Sequence, residues 1–215
     1  MRKLQRTDDG SYTLYDEEFQ TCYHSVFGAK SESKYVFLQQ GKISEYLQQQ
    51  QEVRILEIGT GTGLNLFLTA ELAMQFTENQ IFYYGYEPRP LPAELLENFY
   101  RNSAFPEEWT RCLAEQKESF CLNNVHVNIF YKKWQGEVIG NYDVIYYDAF
   151  GPKQHPEMWT EKMLLGIYNN LKQGGKAVTF SITGNTKRIL KKHSIPFYTP
   201  KGFGKKREML VIEKH

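Results

Sequence analysis

The sequence has few cysteines and no long apolar run, and both shortages exclude classes of protein. Three cysteines occur in 215 residues, Cys22, Cys112 and Cys121. Their odd number and the lack of C-x-x-C spacing argue against a disulfide framework and against a zinc site. No apolar run reaches the roughly 18 residues of a membrane span, and the first ten residues contain no apolar signal segment. We therefore expect a soluble, metal-free protein of the reducing cytoplasm.

Net charge is also small, at +1, but it is distributed unevenly. Between residues 185 and 215 there are nine basic residues and two acidic ones, so the rest of the chain is acidic. A basic end on an acidic domain is typical of a surface that binds a polyanion. A solvated charged helix and hairpin would have the same composition, so charge alone leaves both interpretations open.

Strand-like and helical segments alternate from residue 51 onward, which predicts a parallel sheet covered by helices on both faces. We expect residues 1–50 to form an N-terminal extension, with a short strand or hairpin around Tyr12–Tyr15 and a helix over Lys34–Gln48. Residues 51–215 are expected to form one domain. Its predicted strands are 53–58, 81–86, 125–131, 142–147, 177–182, 197–199 and 209–213, and its predicted helices are 64–76, 93–102, 107–118, 160–171 and 186–193.

Three alternate glycines, Gly59, Gly61 and Gly63, follow the first of these strands. Glycines at a strand-to-helix turn let a ligand approach the backbone closely. A dinucleotide fingerprint would need a glycine at Leu64, and a phosphate-binding P-loop would need to end in Gly-Lys-Ser/Thr, so both are disfavoured. The remaining pattern, acid-x-G-x-G-x-G beginning at Glu57, resembles motif I of the class I S-adenosylmethionine (SAM) methyltransferases.

That resemblance implies a Rossmann-like fold with a mostly parallel seven-stranded sheet, an antiparallel C-terminal strand and SAM as cofactor, without metal or flavin. In that family the acid of motif I lies near the cationic methionine end of SAM, a role that falls here to Glu57. Glu87 ends the second strand, where a carboxylate can accept both ribose hydroxyls; its alternative role is to cap the helix near Pro92. The residues expected at the cofactor are Glu57, Gly59, Thr60, Gly61, Gly63, Asn65 and Glu87.

The segment Asp148–Trp159 follows another strand end and combines an acid, an aromatic and two prolines. It resembles the D-G/A-F-x-P-x-x-x-P-x-M-W segment of the methyltransferase component of the MnmC family, which modifies the wobble uridine of tRNA. Three further segments resemble that family in the same order along the chain. They are the N-terminal Thr13-Leu14-Tyr15 with Tyr23-His24-Ser25, the glycine loop from Gly59 to Asn65, and the closing Gly202–Leu210.

The resemblance implies that the acceptor is the primary amine of 5-aminomethyl-(2-thio)uridine in the anticodon loop of tRNA, supplied by separate enzymes. Asp148 is the candidate base, because an aliphatic amine must lose a proton before it can attack the methyl group. Its alternative role is that of a helix cap or a turn former. The aromatic residues expected to hold the base, each of which is as well explained by burial in the core, are Tyr15, Tyr23, Phe150, Trp159 and Phe203. Phosphate contacts are expected from Lys205, Lys206 and Arg207.

Two departures from the family pattern limit what the resemblance implies. Bifunctional members carry a flavin-dependent oxidase domain after the methyltransferase, and this sequence ends at His215, so methyl transfer alone is expected. Many relatives also place an acid near the adenine after the third strand, where this chain has Tyr131-Lys132-Lys133-Trp134-Gln135. Two alternatives stay open: a methyl- or aminopropyltransferase acting on a small amine or a protein, and a non-catalytic RNA-binding relative.

Overall fold

The structure is a computed structural model, and it describes residues 1–101 and 104–215. The chain begins with a small antiparallel sheet of three strands, β1 (Arg2–Arg6), β2 (Tyr12–Asp16) and β3 (Thr21–Cys22). The strand or hairpin predicted around Tyr12–Tyr15 is therefore confirmed.

The helix predicted over Lys34–Gln48 is wrong, because the segment is divided. It consists of α1 (Ala29–Ser33), a π-helical stretch (Lys34–Gln39) and α2 (Ile43–Gln49). The break falls at Gly41, where a Cβ atom would lie 2.1 Å from the Phe37 carbonyl oxygen, and at Lys42, whose φ of 57° is left-handed. A continuous right-handed helix cannot pass through such a residue.

The described residues of the main domain form an eight-stranded sheet of order β10-β11-β9-β8-β4-β5-β7-β6. The strands are β4 (Glu52–Ile58), β5 (Gln80–Tyr86), β6 (Ser119–Leu122), β7 (Val125–Phe130), β8 (Tyr142–Tyr147), β9 (Leu171–Thr179), β10 (Phe197–Tyr198) and β11 (Leu210–Glu213). The central pairs β8-β4, β4-β5, β5-β7 and β8-β9 are parallel, whereas β6, β10 and β11 pair antiparallel. The predicted α/β class with an antiparallel C-terminal strand is confirmed.

Helices follow β4, β5, β8 and β9 and cover both faces of the sheet. They are α3 (Leu64–Ala73), α4 (Ala93–Tyr100), α5 (Glu107–Ala114), α6 (Glu161–Asn169) and α7 (Gly184–Lys192), with a short 3-10 turn at Pro156–Trp159. The predicted end of α4 at Asn102 lies outside the described residues. No helix within residues 1–101 and 104–215 is long and apolar enough to cross a membrane.

Alternation along β4 divides the interior into two apolar layers. Val53 and Ile55 pack on the side of α3, whereas Leu56 and Ile58 pack on the side of α6 and α7. Successive side chains of a strand point to opposite faces, so a strand buried on both sides must be apolar at nearly every position. Glu57 is the charged residue of this strand that is fully buried.

The sheet has eight strands rather than the expected seven, because the sequence analysis missed β6. This edge strand is four residues long and turns into β7 at Asn123, whose φ is 54°. Asparagine tolerates that left-handed conformation in tight turns. Strand β9 also begins at Leu171, six residues before the predicted start at Ala177, and runs through Gly174 and Gly175, which weaken the strand pattern in the sequence.

The chain leaves β4 toward β5 and β7 on one side and returns through β8 and β9 on the other. Strand order therefore reverses beside β4, and the crevice at the carboxyl ends of β4 and β8 is where open α/β sheets bind ligands.

Candidate active site

Backbone hydrogen bonds hold three strand ends together around the glycine loop. The amide of Gly59 donates to the carbonyl of Tyr86 at the end of β5, over 2.9 Å, and the amide of Asp148 donates to the carbonyl of Ile58, also over 2.9 Å. Gly59 has a φ of 94°, and a Cβ atom there would lie 2.8 Å from the Asp148 carbonyl oxygen. Only glycine fits this position without displacing the Asp148 strand end.

A buried amide connects two carboxyl groups at these strand ends. The Nδ2 atom of Asn65, near the start of α3, donates to Glu57 Oε1 and to Asp148 Oδ2, each over 2.8 Å. The hydroxyl of Tyr83 donates to the other oxygen of Glu57 over 2.7 Å. We call Glu57, Asn65 and Asp148 the carboxylate network. The hydrogen bond from Asn65 holds the Asp148 carboxyl group in one orientation.

Burial changes the protonation of both acids in this network. It raises the pKa of Glu57 to about 7, against the opposing effect of the hydrogen bonds from Asn65 and Tyr83. Burial, together with the nearby charges of Glu57 and Glu32, raises the pKa of Asp148 well above its ordinary range. Burial therefore makes the ionised form of each acid a stronger base than an exposed carboxylate, which is a property required of a base in catalysis.

Glu87 occupies the end of β5, as predicted. One carboxylate oxygen accepts from the amide of Gly61 and the other from the amide of Arg89, each over 2.8 Å. Burial is the largest effect on its pKa and raises it. Glu87 caps no helix: α4 begins with Pro92 as its N-cap, which has no side-chain cap bond.

The strand ends open into a cavity of about 250 Å³, which we call the strand-end cavity. The predicted site residues on its wall are Gly59, Thr60, Gly61, Glu87, Asp148, Tyr23 and Phe150. Wall residues that the sequence analysis did not assign to a site include Arg2, Phe19, Arg89, Lys133, Trp134, His155 and Met158. Lys133 and Trp134 come from the segment after β7, which the sequence analysis noted only for its missing acid.

Three residues predicted to touch the cofactor lie behind this wall instead. Glu57 and Asn65 belong to the buried carboxylate network. Gly63, with a φ of 80°, is the N-cap of α3, and a Cβ atom there would lie 2.2 Å from the Leu113 Cδ1 atom. Its left-handed backbone at the start of α3 is sufficient reason for a glycine at this position.

A second concave surface lies on the other side of Tyr23 and Phe150, whose rings meet edge to face at a centroid distance of 5.1 Å. We call it the side groove. Tyr23, His24 and Phe150 line both the groove and the strand-end cavity. Other residues that line the groove are Tyr15, Glu32, Phe180, Ser181, Thr183 and Lys206. Tyr23 and Phe150 therefore form a shared wall between the two spaces.

The five predicted aromatic residues divide into two groups. Tyr15, Tyr23 and Phe150 line the groove or the cavity. Trp159 is buried and donates from its Nε1 atom to the carbonyl of Phe150 over 2.8 Å, and Phe203 packs against the apolar core near Tyr35. The structure thus places Trp159 and Phe203 in supporting positions, where burial accounts for their aromatic character.

The three predicted cations also fall into two groups. Lys205 and Arg207 are exposed; the Lys205 ammonium lies 5.1 Å from the Phe27 ring centroid. Lys206 turns inward, and its Nζ atom lies 2.7 Å from Glu32 Oε1 in the side groove. Glu32 has no neighbouring motif in the sequence, so the sequence analysis missed it.

A family model described as S-adenosyl-L-methionine-dependent methyltransferase matches residues 93–215, more than half of the chain. The chain belongs to this family. It is therefore a SAM-dependent methyltransferase, and the predicted cofactor and enzyme class are confirmed.

Two relatives of this methyltransferase are named tRNA 5-methylaminomethyl-2-thiouridine biosynthesis bifunctional protein MnmC. The chain is 27% identical over 226 residues to the protein from Actinobacillus pleuropneumoniae and 29% identical over 222 residues to that from Leptospira borgpetersenii. The alignments cover 94% and 93% of this chain, but 34% and 33% of the relatives. The methyltransferase thus spans about a third of the length of these curated relatives. The predicted MnmC-like resemblance is confirmed at this level.

Two solved structures share the fold of the methyltransferase. MNMC2 from Aquifex aeolicus has a TM-score of 0.83 at 24% identity, and the match covers 99% of this chain and 70% of that chain. The O-methyltransferase NovP has a TM-score of 0.53 at 14% identity, covering 89% and 82%. At these identities the likeness shows the fold alone, and it confirms the predicted methyltransferase fold.

The residues at the strand-end cavity fit SAM. Gly59 and Gly61 present backbone without Cβ atoms on its wall, which allows close approach of a ligand. Among the described residues, the buried Thr60 Oγ1 atom on this wall has no hydrogen-bond partner within 3.5 Å. Such atoms are expected where a ligand supplies the missing bonds. The Glu87 carboxylate completes a wall suited to hydroxyl donors.

Proposed function

We propose that this methyltransferase transfers a methyl group from SAM to the primary amine of 5-aminomethyl-(2-thio)uridine at the wobble position of tRNA. Support comes from the names of the two MnmC relatives, which concern tRNA 5-methylaminomethyl-2-thiouridine biosynthesis. The observation that carries the proposal is the position of Asp148. It lies on the wall of the cavity, next to the Phe150 ring that also faces an open groove, so one carboxyl group can meet both donor and acceptor.

The strand-end cavity would hold SAM, which supplies a methyl group on a positively charged sulfonium. Gly59, Thr60 and Gly61 would form the wall against it, and Glu87 would accept the ribose hydroxyls. Glu57 and Asn65 would act from behind that wall by orienting Asp148. The adenine would lie toward Lys133 and Trp134, which line the same cavity and offer an amphipathic stem and a ring edge.

Asp148 would orient the acceptor amine and accept its proton. An aliphatic amine has a pKa near 10 in water, so most of it is protonated near neutral pH. The raised pKa of Asp148 narrows the gap between the two groups and favours this proton transfer. The freed nitrogen lone pair would then be able to form the N–C bond, and the bond that breaks would be the C–S bond of the sulfonium, which would become a neutral thioether.

The acceptor would enter from the side groove. A wobble base can leave its stack in an anticodon loop, and aromatic side chains can hold the extruded base. Tyr15, Tyr23 and Phe150 are placed for this role. Lys205 and Arg207, which are exposed beyond the groove, would meet phosphates of the anticodon loop.

Three further points belong to this proposal. Separate enzymes would supply the aminomethyl group, because methyl transfer alone does not create it. The reaction would take place in the cytoplasm, with the tRNA. Residues 1–50 would act as an extension of a single unit formed with residues 51–215, since Tyr23 lines the cavity and His24 Nε2 lies 2.9 Å from Thr62 Oγ1 in the glycine loop.

Labelled SAM tests the proposal directly. The protein is incubated with total tRNA that carries the 5-aminomethyl group and with matched tRNA that lacks it, and the nucleosides are separated by mass spectrometry. We expect label in the 5-methylaminomethyl nucleoside of the first tRNA only. Label in polyamines or protein, with none in tRNA, would show that the acceptor is wrong. SAM binding without any transfer would favour a non-catalytic RNA-binding relative.

A further inference from the structure

Lys206 differs from its two neighbours in where its charge is held. A tight turn, in which the Gly202 amide donates to the Arg207 carbonyl and the Lys206 amide to the Phe203 carbonyl, directs its side chain into the side groove. There its Nζ atom lies 2.7 Å from Glu32 Oε1 and 4.2 Å from the Phe180 ring centroid.

Glu32 is fixed and nearly inaccessible to solvent. Its side chain is 8% exposed, and its second oxygen accepts from the amide of Ser25 over 2.8 Å. A carboxylate held on both oxygens keeps the Lys206 ammonium in one place rather than letting it follow a mobile phosphate. An ammonium has three N–H donors, and Glu32 engages one of them, so the others are available to a ligand in the groove.

The groove brings this ammonium close to the candidate reaction centre. Phe150 lines the groove with Lys206 and lines the cavity with Asp148. The charge of Lys206 also acts on Asp148, lowering its pKa against the larger opposing effects of burial and of Glu57 and Glu32. A fixed donor in the groove and the carboxyl group that would receive the amine therefore line the two neighbouring spaces that share Phe150.

We propose that Lys206, positioned by Glu32, determines acceptor specificity by donating a hydrogen bond to the C4 carbonyl oxygen of a 5-aminomethyl pyrimidine. This inference rests on the proposed function. In uracil the carbon that bears the aminomethyl group is bonded to the carbonyl carbon C4, so an amine at Asp148 brings that oxygen toward the next group along the groove. Cytosine has an amino group at C4, which donates and would face the ammonium without a partner.

The assignment gives Lys206 a role different from the phosphate contact expected from the sequence. A phosphate contact adds affinity without reading the base, whereas a donor to a base carbonyl distinguishes uracil from cytosine. A site built to hydrogen-bond one group discriminates against the analogue that cannot form the bond, because the donor that Glu32 holds there would then face the cytosine amino group without a partner.

Two synthetic anticodon stem-loops test the inference, one with 5-aminomethyluridine and one with 5-aminomethylcytidine at the wobble position. The measurement is the ratio of their kcat/KM values for the wild type and for Lys206→Met, Glu32→Gln and Lys206→Arg. We expect Lys206→Met to lower that ratio roughly 10- to 100-fold. Glu32→Gln should lower it less, and Lys206→Arg, which keeps a charged donor, should retain most of it.

The surface ion pair between Lys42 and Glu45, 2.9 Å apart, supplies the matched controls Lys42→Met and Glu45→Gln, which should leave the ratio unchanged. Lys206→Met leaves Glu32 without its cation and can destabilise the fold, so the double variant Glu32→Gln/Lys206→Met, which removes both charges, is measured beside it. Calorimetric binding of SAM confirms that each variant is folded.

An unchanged ratio in both variants that lack the lysine would overturn the inference while leaving the proposed function intact. Equal loss on both stem-loops would do the same, since it would identify a general contact to the backbone. If the wild type methylates neither stem-loop although it binds SAM, the proposed function itself fails, and the inference fails with it.

Discussion

Glu57 and Asp148 lie at the ends of buried strands, where burial raises the pKa of each carboxyl group. Lys205 and Arg207 lie in an exposed loop and keep their charges in water. The two regions use ionisable side chains for two different purposes. Burial makes an ionised carboxyl group a stronger base, which suits chemistry, whereas an exposed cation contributes affinity that salt can screen.

Lys206 shares features with both regions. It comes from the same basic loop as Lys205 and Arg207, but its partner Glu32 belongs to α1, 174 residues earlier in the chain. Its side chain is 41% exposed, against 8% for the Glu32 side chain. Lys206 is therefore assigned to base recognition because it lies in the groove. Lys205 and Arg207, which are also basic, are assigned to phosphate contacts because they lie outside it.

Replacing the acid at the candidate reaction centre should reduce activity more than any substitution among the exposed cations. Asp148→Asn keeps the shape and a bond with Asn65 but removes the group that accepts the proton. We expect kcat for tRNA methylation to fall about 10²- to 10⁴-fold, with little change in SAM binding. The loss should shrink as pH rises toward the pKa of the amine, because solvent then deprotonates the acceptor. Single-turnover rates between pH 7 and pH 10 measure this.

Glu87→Gln is the matched control for that experiment, because it changes a carboxyl group at the neighbouring strand end. It should raise the KM for SAM while changing kcat much less, since Glu87 is assigned to the ribose. A kcat for Asp148→Asn equal to that of the wild type across the pH range would remove Asp148 from the mechanism.

The buried carboxyl group of Glu57 should affect stability in a pH-dependent way. Its pKa is about 7 in the folded chain and about 4.5 in a solvent-exposed glutamate, so the folded state binds more protons between these values. The free energy of unfolding should therefore fall as pH rises from about 4.5 through 7, with Glu57 contributing at most about 3 kcal/mol. Glu57→Gln should flatten this part of the profile, as urea unfolding between pH 5 and 8 would show.

Only the slope of the profile counts in this test, because the amide also changes the bonds to Asn65 and Tyr83 at every pH. The exposed Glu45→Gln serves as control and should leave the slope as in the wild type. Identical slopes for Glu57→Gln and the wild type would mean that burial at Glu57 does not control its protonation. Saturating SAM should reduce the slope of the wild type, since a cationic ligand stabilises the charged carboxylates.

The sequence analysis found the strand-end acids because parallel strands bring their carboxyl ends to one edge of the sheet. Glu57, Glu87 and Asp148 could be placed there from strand boundaries alone. The same reasoning could not tell that Glu57 lies behind the cavity wall. That depends on whether Asn65 bridges it to Asp148, a contact set by how α3 packs and not by spacing along β4.

Groups contributed from distant parts of the chain were missed for a different reason. Arg2 and Arg89 reach the cavity from β1 and from the loop after β5, and Glu32 reaches the groove from α1. No local pattern marks such residues, because only the tertiary fold brings them to the site. Trp159 shows the converse, since it lies in a segment typical of the family but is buried behind Phe150.

Replacing the exposed cations should have the smallest effects on tRNA binding. These effects test whether Lys205 and Arg207 contact phosphates while Lys206 does not. Each phosphate contact that is lost should reduce the slope of log affinity against log salt by about 0.7 for a single-stranded loop. We expect Lys205→Ala and Arg207→Ala each to reduce the slope for tRNA binding by about that amount, with modest losses of affinity at any one salt concentration. Lys206→Met should leave the slope near that of the wild type, because Glu32 already neutralises its charge. Equal reductions for all three variants would place Lys206 among the phosphate contacts and remove the difference between the loop and the groove.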